Sequence, residues 1–319
     1  MPLVLEPGWV GQRVVIRHAL DASEPPRPPL TDVVGDLSGL SADAAIVETR
    51  TGEQRIPLRQ ITAAKVVAPS RADILALESV CARGWRAEDT DERAGWLLRA
   101  TGGFTGRANT ALPLHPPADS LDDTLDAARA WYAERGLPLR VQVPLPVRRL
   151  LDAELAARGW PADPDVLVLV ARLDILRAGL PDAPQVRIVD APDAAWMARY
   201  RDGKAPAIAR DILLRHDRVA FAELRRDGSV LAIGRGAVDD GWLGVTAVEV
   251  EPGRRRQGLA TAVMSALCRW AVEQHGATRS YLQVTADNHA AVALYERLRY
   301  WRHHTYRYRT EPSAPATGH

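Results

Sequence analysis

Apolar and polar positions change period along this chain, and the changes mark its parts. Up to about residue 68 the period is near two. Residues 10–17 alternate loosely, residues 31–37 form a second candidate strand, and residues 44–49 and 54–58 flank a Thr51-Gly52 turn. Alternation broken by such a turn is a hairpin signal. Residues 61–67 add a further short strand. Strands so short and so closely spaced predict a small SH3-like β-barrel over residues 1–68. Pro25-Pro26-Arg27-Pro28-Pro29 falls in its first long loop, where it reads as a stiff exposed segment or a polyproline II ligand.

Beyond Pro69-Ser70 the pattern alternates between periods of 3.6 and 2, as in an α/β (α+β) chain. Ile74, Leu77, Glu78 and Cys81 open a helix, and residues 95–99 and 111–114 read as strands around a Gly102-Gly103 turn. Leu121, Leu125, Ala128 and Tyr132 share a helix face; residues 139–143 form a strand; Leu150, Leu151, Leu155 and Ala156 belong to a helix closed by Gly159. Residues 166–173 are an unbroken apolar run, the mark of a strand buried on both faces. Residues 196–214 read as helical, interrupted near Gly203 and Pro206. Hairpins then turn at Asp227-Gly228 and at Asp239-Asp240-Gly241, the second leading into Val245, Val248 and Val250. The residues after 310 are small, polar and proline-bearing, and 311–319 read as a disordered tail.

The most informative stretch joins that last strand to a helix: Glu249-Val250-Glu251-Pro252-Gly253-Arg254-Arg255-Arg256-Gln257-Gly258-Leu259-Ala260-Thr261. Pro252 ends the strand ladder because it has no N–H. From Leu259, apolar residues recur at Val263, Leu267, Trp270 and Ala271, and Gly276 stops the helix. A basic turn feeding a helix N-terminus offers free backbone N–H groups and positive side chains, which is what an anion needs. A nucleoside-triphosphate loop would continue Lys-Ser/Thr after the second glycine; Leu259-Ala260 follow instead. A dinucleotide fingerprint would need a small residue where Val263 stands. Gly234-Arg235-Gly236 begins such a fingerprint but has no third glycine.

What fits is an R/Q-x-x-G-x-G/A loop built of Arg255, Gly258 and Ala260. It resembles the coenzyme loop of the GNAT superfamily of N-acetyltransferases. Downstream, a strand at 281–284 precedes Asn288, Ala291 and Tyr295, in the order and spacing of the family's N-x-x-A-x-x-x-Y segment, although the family's Gly-Phe is Arg299-Tyr300 here. The resemblance implies a mixed-sheet GNAT fold and acetyl-CoA as acetyl donor. Its diphosphate would lie on Arg255, Arg256, Gln257, Gly258, Leu259, Ala260 and Thr261. Val248 and Val250 would pair with the pantetheine arm, and Asn288 would touch it. Tyr295 would be the general acid beside the sulfur. The incoming amine must be neutral to attack, so a base is needed; Glu249 and Glu251 lie on or beside the coenzyme strand, with Glu249 the better placed. An N–H near Val248 is positioned to polarise the thioester carbonyl.

The middle of the chain parallels its end. Residues 131–143 resemble residues 270–284, and residues 150–160 resemble residues 290–300. Two GNAT-like halves are therefore expected, at 71–178 and 184–310. In the first, His115-Pro116-Pro117-Ala118-Asp119-Ser120 replaces the basic loop, and Asp119, Asp122 and Asp123 would repel a diphosphate. Leu155 stands for the tyrosine and Arg148 for the asparagine. That half is expected to have lost coenzyme binding. A barrel, a degenerate half and an active half together resemble some actinobacterial GNAT proteins.

Composition limits the alternatives. The 319 residues carry a net charge of +1, with 46% hydrophobic and 25% charged residues. No global field points to nucleic acid or a membrane surface. The two cysteines, Cys81 and Cys268, are far apart and suggest neither a disulfide framework nor a zinc cluster. His303-His304 is not expected to bind a metal, since strand neighbours point to opposite faces. No signal peptide or membrane span is legible. The expectation is a cytoplasmic N-acetyltransferase with no metal, acting on an amine of a small molecule or protein. The alternative is a non-catalytic acetyl-CoA sensor or interaction module.

Overall fold

The computed structural model describes residues 5–20, 29–118, 120–183 and 185–312. Most of the proline-rich segment and most of the expected tail lie outside them. The chain divides into two compact units, residues 1–70 and 71–319.

The first unit is one antiparallel sheet of β1 (Arg13–Ala19), β2 (Leu30–Leu40), β3 (Ala44–Thr49), β4 (Gly52–Pro57) and β5 (Ile61–Val66), in the order β4-β3-β2-β1-β5. Alternate residues Val14, Ile16, Val33, Leu37, Val47 and Ile56 fill its core. The edge strands β4 and β5 are not paired, so the expected barrel is an open, barrel-like sheet. Pro57 ends the β4 ladder, and a 3₁₀ turn at Leu58–Gln60 carries the chain directly to β5.

The second unit runs α1 (Arg71–Gly84), β6 (Asp89–Arg93), β7 (Trp96–Ala100), α2 (Leu121–Ala133), β8 (Arg140–Leu145), α3 (Arg149–Ala157), β9 (Val166–Arg172), α4 (Leu173–Ala178), β10 (Val186–Val189), α5 (Ala194–Arg199), α6 (Ala209–Leu214), β11 (Val219–Arg226), β12 (Ser229–Asp239), β13 (Trp242–Val250), α7 (Leu259–His275), β14 (Arg279–Thr285), α8 (His289–Arg297) and β15 (Trp301–Thr310). Two expectations change here. Residues 111–114 contribute only isolated bridges, Leu97↔Leu112 and Ala111↔Val141, because Pro113 lacks the N–H a ladder needs. β7 pairs instead with β6, whose Asp-Thr-Asp-Glu-Arg sequence has no apolar face to betray it.

Among the described residues a single sheet of eight strands organises this unit, in the order β10-β11-β12-β13-β14-β9-β15-β8. The meander β10 to β13 is antiparallel, β13–β14 is parallel, and the remaining pairs are antiparallel. The strands are exchanged: β9 lies beside β14, and β15 lies between β9 and β8. β9 is buried on both faces, as its unbroken apolar run predicts. Val166, Val168 and Val170 pack with Leu77, Val80 and Cys81 of α1, while Leu169 and Ala171 join the core under α7. That core takes Ala262, Val263, Met264, Ala266, Leu267, Cys268, Trp270 and Ala271 from α7. Both cysteines are buried and free.

Candidate functional site

β13 is regular through Val245 and irregular beyond it. Thr246 pairs with Arg235 and Glu249 with Ile233, so Ala247 and Val248 stand against Gly234 alone. This is a β-bulge, with Ala247 at φ 53. Gly234 is needed there, since a Cβ would fall 2.5 Å from Val263 Cγ1. The parallel pairing with β14 ends at Val245↔Leu282, while β13 runs on to Val250 and β14 to Thr285. The two strands therefore part, and the β14-facing backbone edge of residues 246–250 has no ladder partner among the described strands. An extended polar chain entering that opening finds a row of backbone donors and acceptors, as an added strand would.

At the end of β13 a 3₁₀ turn, Pro252–Arg254, leads into two left-handed residues, Arg256 (φ 62) and Gly258 (φ 79). Gly258 is the N-cap of α7 and supplies no side chain to cap it. By helix geometry the N–H groups of the first turn, at Leu259, Ala260 and Thr261, lack intrahelical acceptors. Residues 252–258 are exposed, and no carboxylate among the described residues pairs with Arg254, Arg255 or Arg256. Left-handed residues that turn amides inward, a helix N-terminus and free guanidiniums all favour an anion. A Cβ at Gly258 would meet nothing within 4 Å, so open space lies over the turn.

Tyr295, on α8, is 9% exposed and packs in the same core cluster as Val248, Val250 and Leu259. Its ring meets Tyr300 edge-on at 5.9 Å. Burial pushes its phenol up to about 12, and its hydroxyl makes no hydrogen bond among the described residues. Asn288 is exposed and caps α8: its Oδ1 accepts from the N–H of Ala291 at 3.2 Å. One lone pair of that oxygen is engaged, and its amide nitrogen makes no hydrogen bond among the described residues.

Glu249 lies on the opposite side of β13 from Val248 and Val250. Its Oε2 accepts from the N–H of Arg201 at 2.9 Å, at a left-handed turn of Arg201, Asp202 and Gly203 that falls where the helical reading of 196–214 is interrupted. Burial holds its carboxyl above the usual carboxylate range, and the Arg201 N–H opposes that shift. Glu251 is half-buried at the strand end. Across the sheet from α7, Trp85, Phe104 and Ala108 of the middle segment pack with Trp196, Tyr200 and Phe221. The sequence gives no sign of this contribution, because it rests on contacts between residues roughly ninety or more positions apart.

The middle segment has a cavity of its own. A space of about 830 Å³ opens between residues 113–121 and α3, lined by Trp96, Pro116, Pro117, Leu121, Val147 and Leu151 among others. The N-terminus of α2 is already satisfied: Ser120 Oγ accepts from the N–H of Asp123 at 3.1 Å, and Asp122 and Asp123 occupy its first turn. Arg148 donates to the carbonyls of Pro113 (2.8 Å) and Leu114 (2.5 Å). These features disfavour a diphosphate there.

His303 and His304 depart from expectation. A bulge between Arg302 and His304 in the pairing with β9 brings their Nδ1 atoms to 2.8 Å. His304 Nε2 then meets Glu78 Oε1 at 2.8 Å, and Glu78 Oε2 accepts from Gln142 Nε2 at 2.7 Å. Gln142 Oε1 in turn accepts from Arg99 at 2.9 Å. Both nitrogens of His304 are thus committed within the protein. Among the described residues no helix is long and apolar enough to cross a membrane.

Comparison with known proteins gives concordant results. Residues 71–309 match the family described as probable histone acetyltransferase Rv0428c, C-terminal, and residues 9–69 match the Rv0428c N-terminal Sm-like domain. The probable histone acetyltransferase Rv0428c of Mycobacterium tuberculosis is 33% identical over 96% of both chains. A GCN5-related N-acetyltransferase from Kribbella flavida superposes with a TM-score of 0.58 at 18% identity, covering 76% of this chain and 96% of that one. A tandem GNAT protein from the clavulanic acid biosynthesis pathway superposes with a TM-score of 0.55 at 16% identity, covering 78% and 91%.

Proposed function

This chain belongs to the Rv0428c family of GNAT N-acetyltransferases, and from that premise we propose that it transfers acetyl from acetyl-CoA directly to a primary amine at the parting of β13 and β14. The observation that carries the reading is the coincidence of three features around one strand–turn–helix. These are an unpaired β13 edge, an uncapped basic helix N-terminus and a buried phenol in the same cluster. We read residues 71–178 and 184–310 as duplicated halves, of which only the second holds the coenzyme, and residues 1–68 as the separate Sm-like or SH3-like module.

Acetyl-CoA supplies the activated acetyl group. The amides at Gly258, Leu259, Ala260 and Thr261 receive its diphosphate, and Arg255, Arg256 and Gln257 surround it. The backbone of Val248 and Val250 holds the pantetheine arm, with the Asn288 amide nitrogen beside it. Glu249, whose burial makes it a stronger base than a solvated carboxylate, takes the proton of the amine directly or through water. Tyr295 Oη returns a proton to the departing thiolate. Its phenol stays protonated across the working pH range, and it has no competing internal hydrogen bond. The test has two readouts. Acetyl-CoA raises the Tm of the purified protein, and free thiol appears only when amine is added. Thiol release without acetylated product, or binding with no turnover on any amine, favours the sensor alternative. No thermal shift refutes both.

A further inference from the structure

On the α1 side of the sheet, where β13 and β14 part, two arginines stand with no carboxylate paired to either among the described residues. Arg107 lies in a 3₁₀ turn, Gly106–Ala108, of the middle segment. Its Nη1 donates to Gln283 Oε1 at 3.2 Å, and its Cζ stands 4.9 Å from the Trp85 ring centroid. Gln283 follows Leu282, the last β14 residue paired with β13. The guanidinium of Arg107 is therefore held at the opening itself. Arg235, on β12, is fully buried and stands 5.0 Å from the same Trp85 ring. Its Nε and Nη1 donate to the carbonyls of Leu213 (2.7 Å) and Gly84 (3.1 Å), but its Nη2 is buried with no partner. Directly across the ladder, Thr246 is in register with Arg235, and its Oγ1 is also buried without a partner.

Two buried polar atoms without a partner, on residues paired across the ladder, are unfavourable unless something supplies acceptors. The nearby carboxylates are committed elsewhere. Glu249 accepts from the Arg201 N–H, Glu78 from Gln142 and His304, and Asp239 from Arg83. Among the described residues none pairs with Arg107 or Arg235. A planar guanidinium with free N–H groups matches a carboxylate better than any other common group on a small amine.

We propose that the acceptor is an amine that itself carries a carboxylate, an amino acid or a close relative, with Arg107 as the specificity-determining contact and Arg235 and Thr246 completing its anionic pocket. This deepens the acetyl-transfer reading and rests on it. The same positive field disfavours a lysine-rich protein tail, whose ammonium groups would enter against two arginines.

The experiment pairs α-amino acids with their amides, and adds a lysine-rich peptide, as acceptors for the full chain with acetyl-CoA. Each free acid is expected to exceed its amide in kcat/KM by about 10- to 100-fold, the worth of one charge-assisted hydrogen-bond pair. Arg107→Gln should erase that preference and Arg107→Lys restore part of it, while acetyl-CoA affinity by calorimetry stays near wild type. Should no amine turn over, N-acetylated amino acids titrated into the CoA-loaded protein give the second readout. Binding to wild type but not to Arg107→Gln upholds the proposal, and binding to neither overturns it. Amides or the lysine-rich peptide serving as well as the acids also overturns it. Absent acetyl-CoA binding would instead remove the underlying acetyl-transfer reading.

Discussion

Replacing Gly258 separates the geometry of the proposed anion site from its charge. Gly258 sits at φ 79, ψ 1 as the N-cap of α7, a left-handed conformation that costs an L-residue about 1–2 kcal/mol. A Cβ there would meet no atom within 4 Å, so Gly258→Ala adds strain without a clash. Where the loop relaxes to escape that strain, acetyl-CoA affinity falls by at most about 5- to 30-fold, the same energy expressed in binding. Gly258→Glu adds a carboxylate where the diphosphate would lie. Like charges about 5 Å apart at an effective dielectric of about 20 repel by roughly 3 kcal/mol per pair. The loop is exposed and salt weakens this, yet a loss of about 100-fold or more beyond the alanine variant is expected. An acidic residue at a helix N-terminus is favourable for folding, so Tm should fall no further in Gly258→Glu than in Gly258→Ala. Gly258→Gln controls for bulk. Isothermal titration with acetyl-CoA at low salt is the assay. A Gly258→Glu variant that binds within about threefold of wild type would refute the placement of the diphosphate.

Other substitutions probe the chemistry and the scaffold. Tyr295→Phe should lower kcat by about 100-fold or more, the usual range for a general acid, and leave acetyl-CoA affinity intact; unchanged kcat removes Tyr295 from the mechanism. Because burial raises the folded-state value of Glu249, activity should be lost as pH falls through that raised value, above the ordinary glutamate range. In Glu249→Gln that acid limb should vanish along with most of the rate, and a pH–rate profile with the limb intact would assign the base elsewhere. Glu78→Ala leaves His304 and Gln142 buried without their acceptor and should cost about 3 kcal/mol or more. Denaturant unfolding showing less than about 1 kcal/mol would mean that the network is not closed as described.

Much of this molecule is written in local pattern. The basic turn is legible because Pro252 ends a strand, Gly258 opens a helix, and the arginines between them have nowhere apolar to go. Gly276 ends α7 at φ 61, as its position after the last apolar residue suggests. The expected strands β3, β8, β9 and β14 are all present, to within a residue or two at most ends. What the sequence hides depends on distance along the chain. The exchange of β9 and β15 is fixed by pairing between segments more than a hundred residues apart, and no periodicity encodes a partner. β6 is unreadable because both its faces are polar. The meeting of His303 with His304 depends on a bulge, which strand alternation alone cannot foresee. The α1-side surface around Trp85, Phe104 and Arg107 comes from the middle segment, far in sequence from the basic turn. Its bearing on the acceptor is therefore visible only once the fold is assembled.

The most direct measurement is a crystal structure of the full chain with CoA. The account predicts the diphosphate on the amides of Gly258, Leu259 and Ala260, the pantetheine arm along the free edge of β13, and the sulfur directed at Tyr295 Oη. Coenzyme seated in the cavity beside α3, or bound anywhere that leaves the first turn of α7 empty, would contradict it.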